Sequence, residues 1–233
     1  MTPKISVIVP VYKEERNINS LVLHVLKTAA GSDVQIIISD GSPDISTLKA
    51  VWEEFPGRVK LHSAKKGRGS QMNAAAARAD GDILLFLHAD TRLPENAFDE
   101  IAEALRDPAT RAGAFRIKFD SKNLFLKFVA FTATLRSRLT GIPFGDQAMF
   151  IRKKYFDSIG GFKDIPLMED TELMKRIKEN GGGVKILSSS VVTSARKWQK
   201  DGMLFNTLRN HLVRFLYFIG ASPELLYRVY YGQ

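Results

Sequence analysis

A chain of 233 residues that is 45% hydrophobic and has no cysteine can bury one large core, and it excludes disulfides, thiolate zinc sites and cysteine nucleophiles. The formal net charge of +9 favours anionic partners such as nucleotides, phosphates or an acidic lipid surface without choosing among them. No helix-turn-helix, zinc-knuckle or RNA-recognition signature accompanies the charge, so nucleic acid is not an expected partner.

The N-terminal MTPKISVIVPVY enters a strand-like run directly, with no charged segment, apolar core and cleavage site of a signal peptide. The expectation is a chain that is not exported and works in a reducing cytoplasm. ISVIVPVY, VQIIISD, VKLHS and DILLFLH read as short strands rich in β-branched residues. Segments with helical spacing separate them, over 15–30, 45–55 and 70–79, and another follows over 95–106. This alternation predicts parallel strands with crossover helices, a three-layer α/β/α sandwich around a mostly parallel sheet.

Beyond Asp107 the regularity weakens. AGAFRIKF and QAMFIR predict strands, and 123–139, 155–159 and 170–180 predict helices, with GGFKDIPLM as a mobile or strained loop between the last two. No repeat or low-complexity linker divides the chain, so a single globule is expected: a nucleotide-binding half over 1–107, an acceptor half over 108–200 and a C-terminal helical appendix over 201–233. From Met203 to Tyr231, Leu204, Leu208, Leu212, Phe215, Leu216 and Ile219 recur at helical spacing. This amphipathic segment could pack on its own domain, form a homodimer face, act as a lid or lie on a membrane surface. No apolar run is long enough to span a bilayer; LFLKFVAFTATL is too short and carries Lys127.

Three predicted strands end in polar residues: Pro10, Val11 and Tyr12 before Glu14; Asp40 before Gly41; and His88, Ala89 and Asp90. If the strands are parallel, these tips share one carboxyl edge, where open α/β sheets bind ligands. Asp40 could accept hydrogen bonds from a ribose or base, or close an Asx-turn in DGSPD. KKGRGSQMN approaches a dinucleotide fingerprint, but Met72 occupies the third glycine position; Gly67 and Gly69 still permit close backbone approach to an anion, and Arg68 could reach a diphosphate. Asp90 reads as a ligand for a hard divalent cation, Mn or Mg, because a departing nucleotide diphosphate needs its charge neutralised. His88 lies on the same strand face and could assist, or be an ordinary satisfied polar residue.

Taken in order, ISVIVPVYKEERNI, IIISDGSPD, GRGSQMNAAAARADGDILLFLHADTRLP, GDQAMFIRKKYFDSIGGF and MEDTELMKRIKENGG resemble a family-two glycosyltransferase of the GT-A fold, over about four fifths of the chain. The resemblance is closest to small bacterial members in which the usual aspartate-any-aspartate motif reads His-Ala-Asp. It implies that Asp40 contacts the nucleotide base, that Asp90 holds the metal and that His88 takes the position often near the ribose. It also implies that the catalytic base lies in the Glu169–Asp170 pair, and that Gly145, Asp146 and Gln147 line the donor-sugar and acceptor pocket. ARKWQ matches the family's Gln-any-any-Arg-Trp element only in part, which leaves Arg196 for the diphosphate and Trp198 for stacking on the acceptor.

The chemistry suits an inverting transfer from a nucleotide-diphosphate sugar to an acceptor hydroxyl, with Asp170 as general base. Asp170 also suits a helix N-cap, with Glu172 complementing the dipole. The acceptor is unknown, and the amphipathic segments and basic charge fit a lipid-linked one with peripheral membrane contact. The alternatives are a nucleotidyltransferase acting on a sugar phosphate and a non-catalytic nucleotide-sugar binding protein.

Overall fold

The structure, a computed structural model, describes residues 3–232. Its first half follows the predicted order. Strands β1 (Ile5–Val11), β2 (Val34–Asp40), β3 (Lys60–Ser63) and β4 (Ile83–Phe86) alternate with helices α1 (Ile18–Thr28), α2 (Ser46–Glu54) and α3 (Arg68–Ala76). The short β5 (Thr91–Arg92) and α4 (Ala97–Ala104) come next. The second half contains β6 (Thr110–Phe119), α5 (Leu124–Thr140), a 3-10 turn at Gly145–Gln147, β7 (Met149–Arg152), α6 (Lys153–Ser158), α7 (Glu169–Glu179) and β8 (Gly183–Thr193). Helices α8 (Arg196–Asp201), α9 (Met203–Phe218) and α10 (Pro223–Tyr231) close the chain.

The eight strands form one sheet in the order β3-β2-β1-β4-β7-β6-β8-β5. Pairings across β3, β2, β1 and β4 are parallel. β7 runs antiparallel between β4 and β6, β8 is parallel to β6, and β5 is antiparallel to β8. The predicted parallel sheet therefore holds from β1 to β4 and becomes mixed beyond β4.

Side-chain alternation sorts the strands into two cores. In β1, Ile5, Val7, Val9 and Val11 face α1, α2 and α4, together with Ile36 and Ile38 of β2 and Ile83 and Leu85 of β4. Ile8, Ile37, Leu84 and Phe86 face the opposite way onto Met72 and Ala75 of α3, Phe156 of α6 and Met174 and Ile177 of α7. Burial on both faces is why these strands are almost continuously Val, Ile and Leu. A third, small cluster joins the C-terminal helices to the rest: Val213 of α9 and Leu226 of α10 meet Leu167 and Met168 in the loop before α7. Gly220, at φ 86°, breaks the C-terminal stretch into two helices, and Ser222 caps α10 by accepting from Leu225 N.

Strand β8 was not predicted. It makes the longest pairing in the sheet, with β6, and at Gly113 the two chains approach so closely that a Cβ would lie 2.4 Å from Lys185 O and from the Phe150 ring. Gly113→Ala is expected to destabilise the protein by about 1–3 kcal/mol through overpacking against backbone that cannot swing away. Urea denaturation read by circular dichroism measures this, and an unchanged midpoint would contradict it.

Candidate active site

The topology brings distant residues to one edge. β1 pairs with β2 on one side and β4 on the other, so the chain's winding direction reverses between β1 and β4, where open sheets form a ligand crevice. Because β7 is antiparallel to β4, its first residue, Met149, lies beside Phe86 at the end of β4, which places the Gly145–Gln147 turn at that edge. β8 ends there too: Thr193 pairs with Thr91, and Ser194 N donates to Asp90 O at 3.1 Å. The N-terminus of α7 completes the rim.

Two hollows share Arg68, His88 and Asp90. The smaller, about 230 Å³, lies over the β1 tip and is lined further by Pro10, Tyr12, Glu14, Gln71 and Ala89. Gln71 fixes its floor by donating to Val11 O at 2.7 Å and Ser39 O at 2.8 Å, bridging β1 and β2. Tyr12 is exposed with the Lys66 ammonium 4.7 Å from its ring centroid, and Glu14 accepts from Asn17 Nδ2. The larger hollow, about 300 Å³, contains Asp146, Asp170 and Trp198, with Gly145 between them.

Asp170 is held by two short hydrogen bonds: Gly145 N donates to Oδ2 at 2.6 Å, and Thr171 N donates to Oδ1 at 2.6 Å. It is not the helix N-cap; that position is Met168, at φ 67°, and Asp170 sits in the first turn of α7 with Glu169 and Glu172. The dipole role considered for this acidic cluster is therefore met; Oδ1 also accepts from Thr171 Oγ1 at 3.2 Å, so the lone pair left for another partner is on Oδ2. Gly145 separates His88 from Asp170 so closely that a Cβ there would stand 3.0 Å from His88 Nε2 and 3.2 Å from Asp170 Oδ2.

The charges are crowded. Burial and then Asp170 raise the Asp146 pKa to about 6, against the pull of Arg136. The Asp90 carboxyl is raised by desolvation and by Glu14, with Arg196 opposing. Burial and then Arg68 lower His88 to about 4, so it stands in the site as neutral imidazole at pH 7. Arg68 is held by Glu169, whose Oε1 lies 2.8 Å from its Nε; burial pushes the Glu169 carboxyl up and Arg68 pulls it back.

Asp40, Gln147, Gly67 and Gly69 stand apart from the hollows. Asp40 is fully buried at the tip of β2, beside Val11; its Oδ1 accepts from Ser42 N at 2.8 Å, the Asx-turn, while Oδ2 is buried without a hydrogen-bond partner. Gln147 does not line the larger hollow. Its amide donates to Phe115 O and accepts from Ser137 Oγ and Phe144 N, tying the turn to β6 and α5. Gly67 takes φ 139°, and a Cβ on Gly69 would lie 2.8 Å from Lys163 O, so that glycine serves close approach within the protein. Trp198 stacks edge-to-face on Phe119 at 5.5 Å and still faces the larger hollow.

Sequence reasoning missed one wall. Asn206, Asn210, Val213 and Arg214 of α9 and Tyr230 of α10 line the larger hollow. The signal was present in the spacing of Asn206, Asn210 and Arg214, a polar stripe opposite the leucines.

Residues 6–160 match the family described as Glycosyl transferase family 2. The chain is 26% identical over 222 residues to the probable glycosyltransferase YdaM of Bacillus subtilis, covering 85% of this chain and 51% of that protein. It is 28% identical over 107 residues to a dolichol-phosphate mannosyltransferase of Pyrococcus furiosus, covering 45% of this chain and 30% of that protein. It thus spans about half, or less, of the length of these curated relatives. Among solved structures it is similar in fold to the mannosyltransferase PcManGT from Pyrobaculum calidifontis in complex with GDP-Man and Mn2+, with TM-score 0.71, 21% identity, and coverage of 99% of this chain and 70% of that one. It is also similar to S. aureus TarS 1-349 in complex with UDP-GlcNAc, with TM-score 0.61, 18% identity, and coverage of 82% and 58%.

The raised Asp146 pKa has a stability consequence with a definite sign. The folded protein holds this proton at pH values where the unfolded chain has released it, so stability falls as pH rises from about 4 toward about 6. Asp146→Asn removes the ionisation, and its Tm is expected to exceed wild type by roughly 2–4 °C at about pH 7.5, the effect of about 1 kcal/mol in a chain of this size. The difference shrinks as the pH approaches about 4. A constant difference across a scanning-calorimetry pH series would contradict it.

Proposed function

The chain belongs to glycosyl transferase family 2, and on that premise we propose that it transfers a sugar, with inversion, from a nucleotide-diphosphate sugar to an acceptor hydroxyl. The observation that carries this reading is the pair of hollows joined at Arg68, His88 and Asp90, with Asp170 facing only the larger one. The donor's nucleoside and diphosphate occupy the smaller hollow, and its sugar points past Asp90 into the larger. GDP-Man and UDP-GlcNAc bound to proteins of similar fold support a donor of this class.

Each residue has a role that its surroundings support. Asp40 Oδ2 is unpartnered but sealed at the β2 tip outside both hollows, so the base contact that we assign to it requires the β1 and β2 tips to part when the nucleoside enters. Pro10, Tyr12 and Glu14 form the nucleoside wall, with Ala89 shaping the diphosphate path and Gly67, outside the hollow, setting the backbone turn that delivers Arg68. Arg68 and Arg196 face the diphosphate. Among the described residues no group of three acidic or histidine side chains forms a metal cage. A hard cation held by one carboxylate and the phosphate oxygens needs no such cage, so the residues fit Mn or Mg bound through Asp90, with His88 as second candidate. When bound, it supplies charge neutralisation for the departing diphosphate.

The acceptor hydroxyl enters the larger hollow between Asp170 and Trp198. Its oxygen forms the new bond to the anomeric carbon as the bond to the diphosphate breaks, the electron pair leaves on the diphosphate, and the hydroxyl proton passes to Asp170. Attack opposite the leaving group inverts configuration. Gly145 N orients Asp170 through its hydrogen bond, Asp146 faces the sugar hydroxyls, and Glu169 keeps Arg68 in place. Phe119, Phe144, Leu167, Met168 and Val213 give the acceptor side an apolar wall, which suits an acceptor with a lipid tail. We assign the transferase core to residues 1–200 and the completion of this wall to residues 201–233.

Asp170→Asn is expected to lower the transfer rate about 10²–10⁴-fold, the usual size of a lost general base. Nucleoside diphosphate release from GDP-mannose or UDP-GlcNAc with an acceptor panel measures it. The substitution also turns an amide N–H toward one of two backbone donors, so a stability loss of about 1 kcal/mol is expected, too small to unfold the chain. A near-wild-type rate would remove Asp170 from the mechanism.

A further inference from the structure

Helices α5 and α9 each expose a broad apolar stripe in addition to the face they bury. On α5 the buried face carries Leu126 and Ala130 with Thr134 and Ser137, the latter hydrogen-bonded to Gln147, while the opposite face exposes Leu124, Phe128, Phe131, Leu135 and Leu139 at 44–78%. On α9 the inward face presents Asn206, Asn210 and Arg214 to the larger hollow, and the outward face carries Leu204, Leu208, Leu212, Phe215 and, just past the helix end, Ile219, at 48–69% exposure. A helix bathed only by water places such a stripe against the core. These two helices and their ends hold twelve of the eighteen strongly exposed large apolar side chains among the described residues, a concentration that marks an interaction surface.

The two helices flank one residue, Phe144. The Arg136 guanidinium of α5 lies 3.5 Å from the Phe144 ring centroid, and that of Arg214 of α9 lies 5.6 Å from it. Charge selects the partner. Neither α5 nor α9 carries an acidic residue; Arg209 pairs with Asp201 of α8 at 3.4 Å and Arg136 and Arg214 act on Asp146, which leaves Lys127 and Arg138 of α5 as the exposed cations. Between α5 and β6 a groove of about 520 Å³ is lined by Arg116, Lys118, Lys127 and Arg138 together with Phe131 and Leu135, again without a carboxylate, and Arg116 Nε is buried there with no hydrogen-bond partner. A second copy of the same face would set cation against cation. A surface offering both hydrocarbon and negative charge matches it.

We propose that α5, the α5–β6 groove and α9 form a docking face for an anionic phospholipid bilayer, with the leucines and phenylalanines in the acyl boundary and the groove cations on lipid phosphates. No helix among the described residues is long and apolar enough to cross a membrane, so the helices lie on the bilayer. The hollow containing Asp170 borders the inward side of α9, which sets it next to the bilayer. The proposal does not depend on the transfer reaction.

Co-sedimentation of the 233-residue chain with vesicles tests it directly. Retention on vesicles of equal parts phosphatidylcholine and phosphatidylglycerol is expected to exceed that on phosphatidylcholine alone by about tenfold or more, and to fall as salt rises from about 0.1 M to about 0.5 M. The double substitutions Phe128→Ser with Phe131→Ser, Leu208→Ser with Phe215→Ser, and Lys127→Glu with Arg138→Glu are each expected to lower it by about tenfold, with circular dichroism unchanged because the side chains are exposed. Equal retention on the two vesicle types, or indifference to all three pairs, overturns the proposal. So does a dimer in light scattering that the leucine and phenylalanine substitutions dissolve while vesicle binding is unaltered.

Discussion

Mutual repulsion among carboxylates in a desolvated crevice is the constraint around which the rest of the molecule is organised. Asp90, Asp146 and Asp170 line one hollow, with Glu14 close enough to Asp90 to raise its pKa. Arg68, already paired with Glu169, lines the same hollow with Lys197 and Arg214, and Arg136 and Arg196 pull on Asp146 and Asp90. Such a cluster is tolerable where a partner supplies positive charge or where protons are retained, and Asp146, raised to about 6, is the group in which the strain is most visible. Carboxylates and guanidinium groups that meet at a hollow lined by strand tips would serve the proposed metal–diphosphate pair, the first toward the cation and the second toward the phosphates. Perturbed groups of this kind gather where proteins do chemistry.

The fold supplies the geometry by directing strand ends. β1, β4, β6 and β8 finish at one edge and β7 starts there, so five pieces of chain deliver their terminal residues to a single rim. Gln71 clasps two of those tips, Gln147 anchors the turn that presents Asp146, and Gly145 is small enough to let His88 and Asp170 approach. These residues position others and need no contact with substrate. The C-terminal helices add the final wall and join the body through Val213, Leu226, Leu167 and Met168.

Legibility in the sequence followed burial. Strands β1, β2 and β4 are buried on both faces and were readable as runs made mostly of Val, Ile and Leu, with β2 found at its full bounds, Val34–Asp40. β8 escaped because Ser188, Ser189 and Ser190 interrupt it and its burial is patchy, although its partner β6 makes it central to the second half. Helix termini were off by a few residues where no side-chain cap marks them, as at α1. In the site, Asp90 and Asp170 do line one hollow as the ordered motifs imply, whereas Asp40, expected at the same edge, is sealed at the β2 tip outside both hollows. The inward turn of Gln147 could not be read, since adjacent positions in a 3-10 turn point in different directions without a periodic signature. The leucine stripe of α9 was legible, but which way it faces depends on Asn206, Asn210 and Arg214 finding polar work at the hollow.

The central claim is that the crowded carboxylate edge is a seat for a divalent cation and a nucleoside diphosphate together. Isothermal titration of GDP and UDP into the protein, with and without Mn2+, addresses it most directly. The account predicts that at least one of them binds far more tightly with the metal, and that Asp90→Asn abolishes the difference while leaving weak metal-free binding. Binding that is absent for both, or that is equally strong without metal and unaffected by Asp90→Asn, would contradict it.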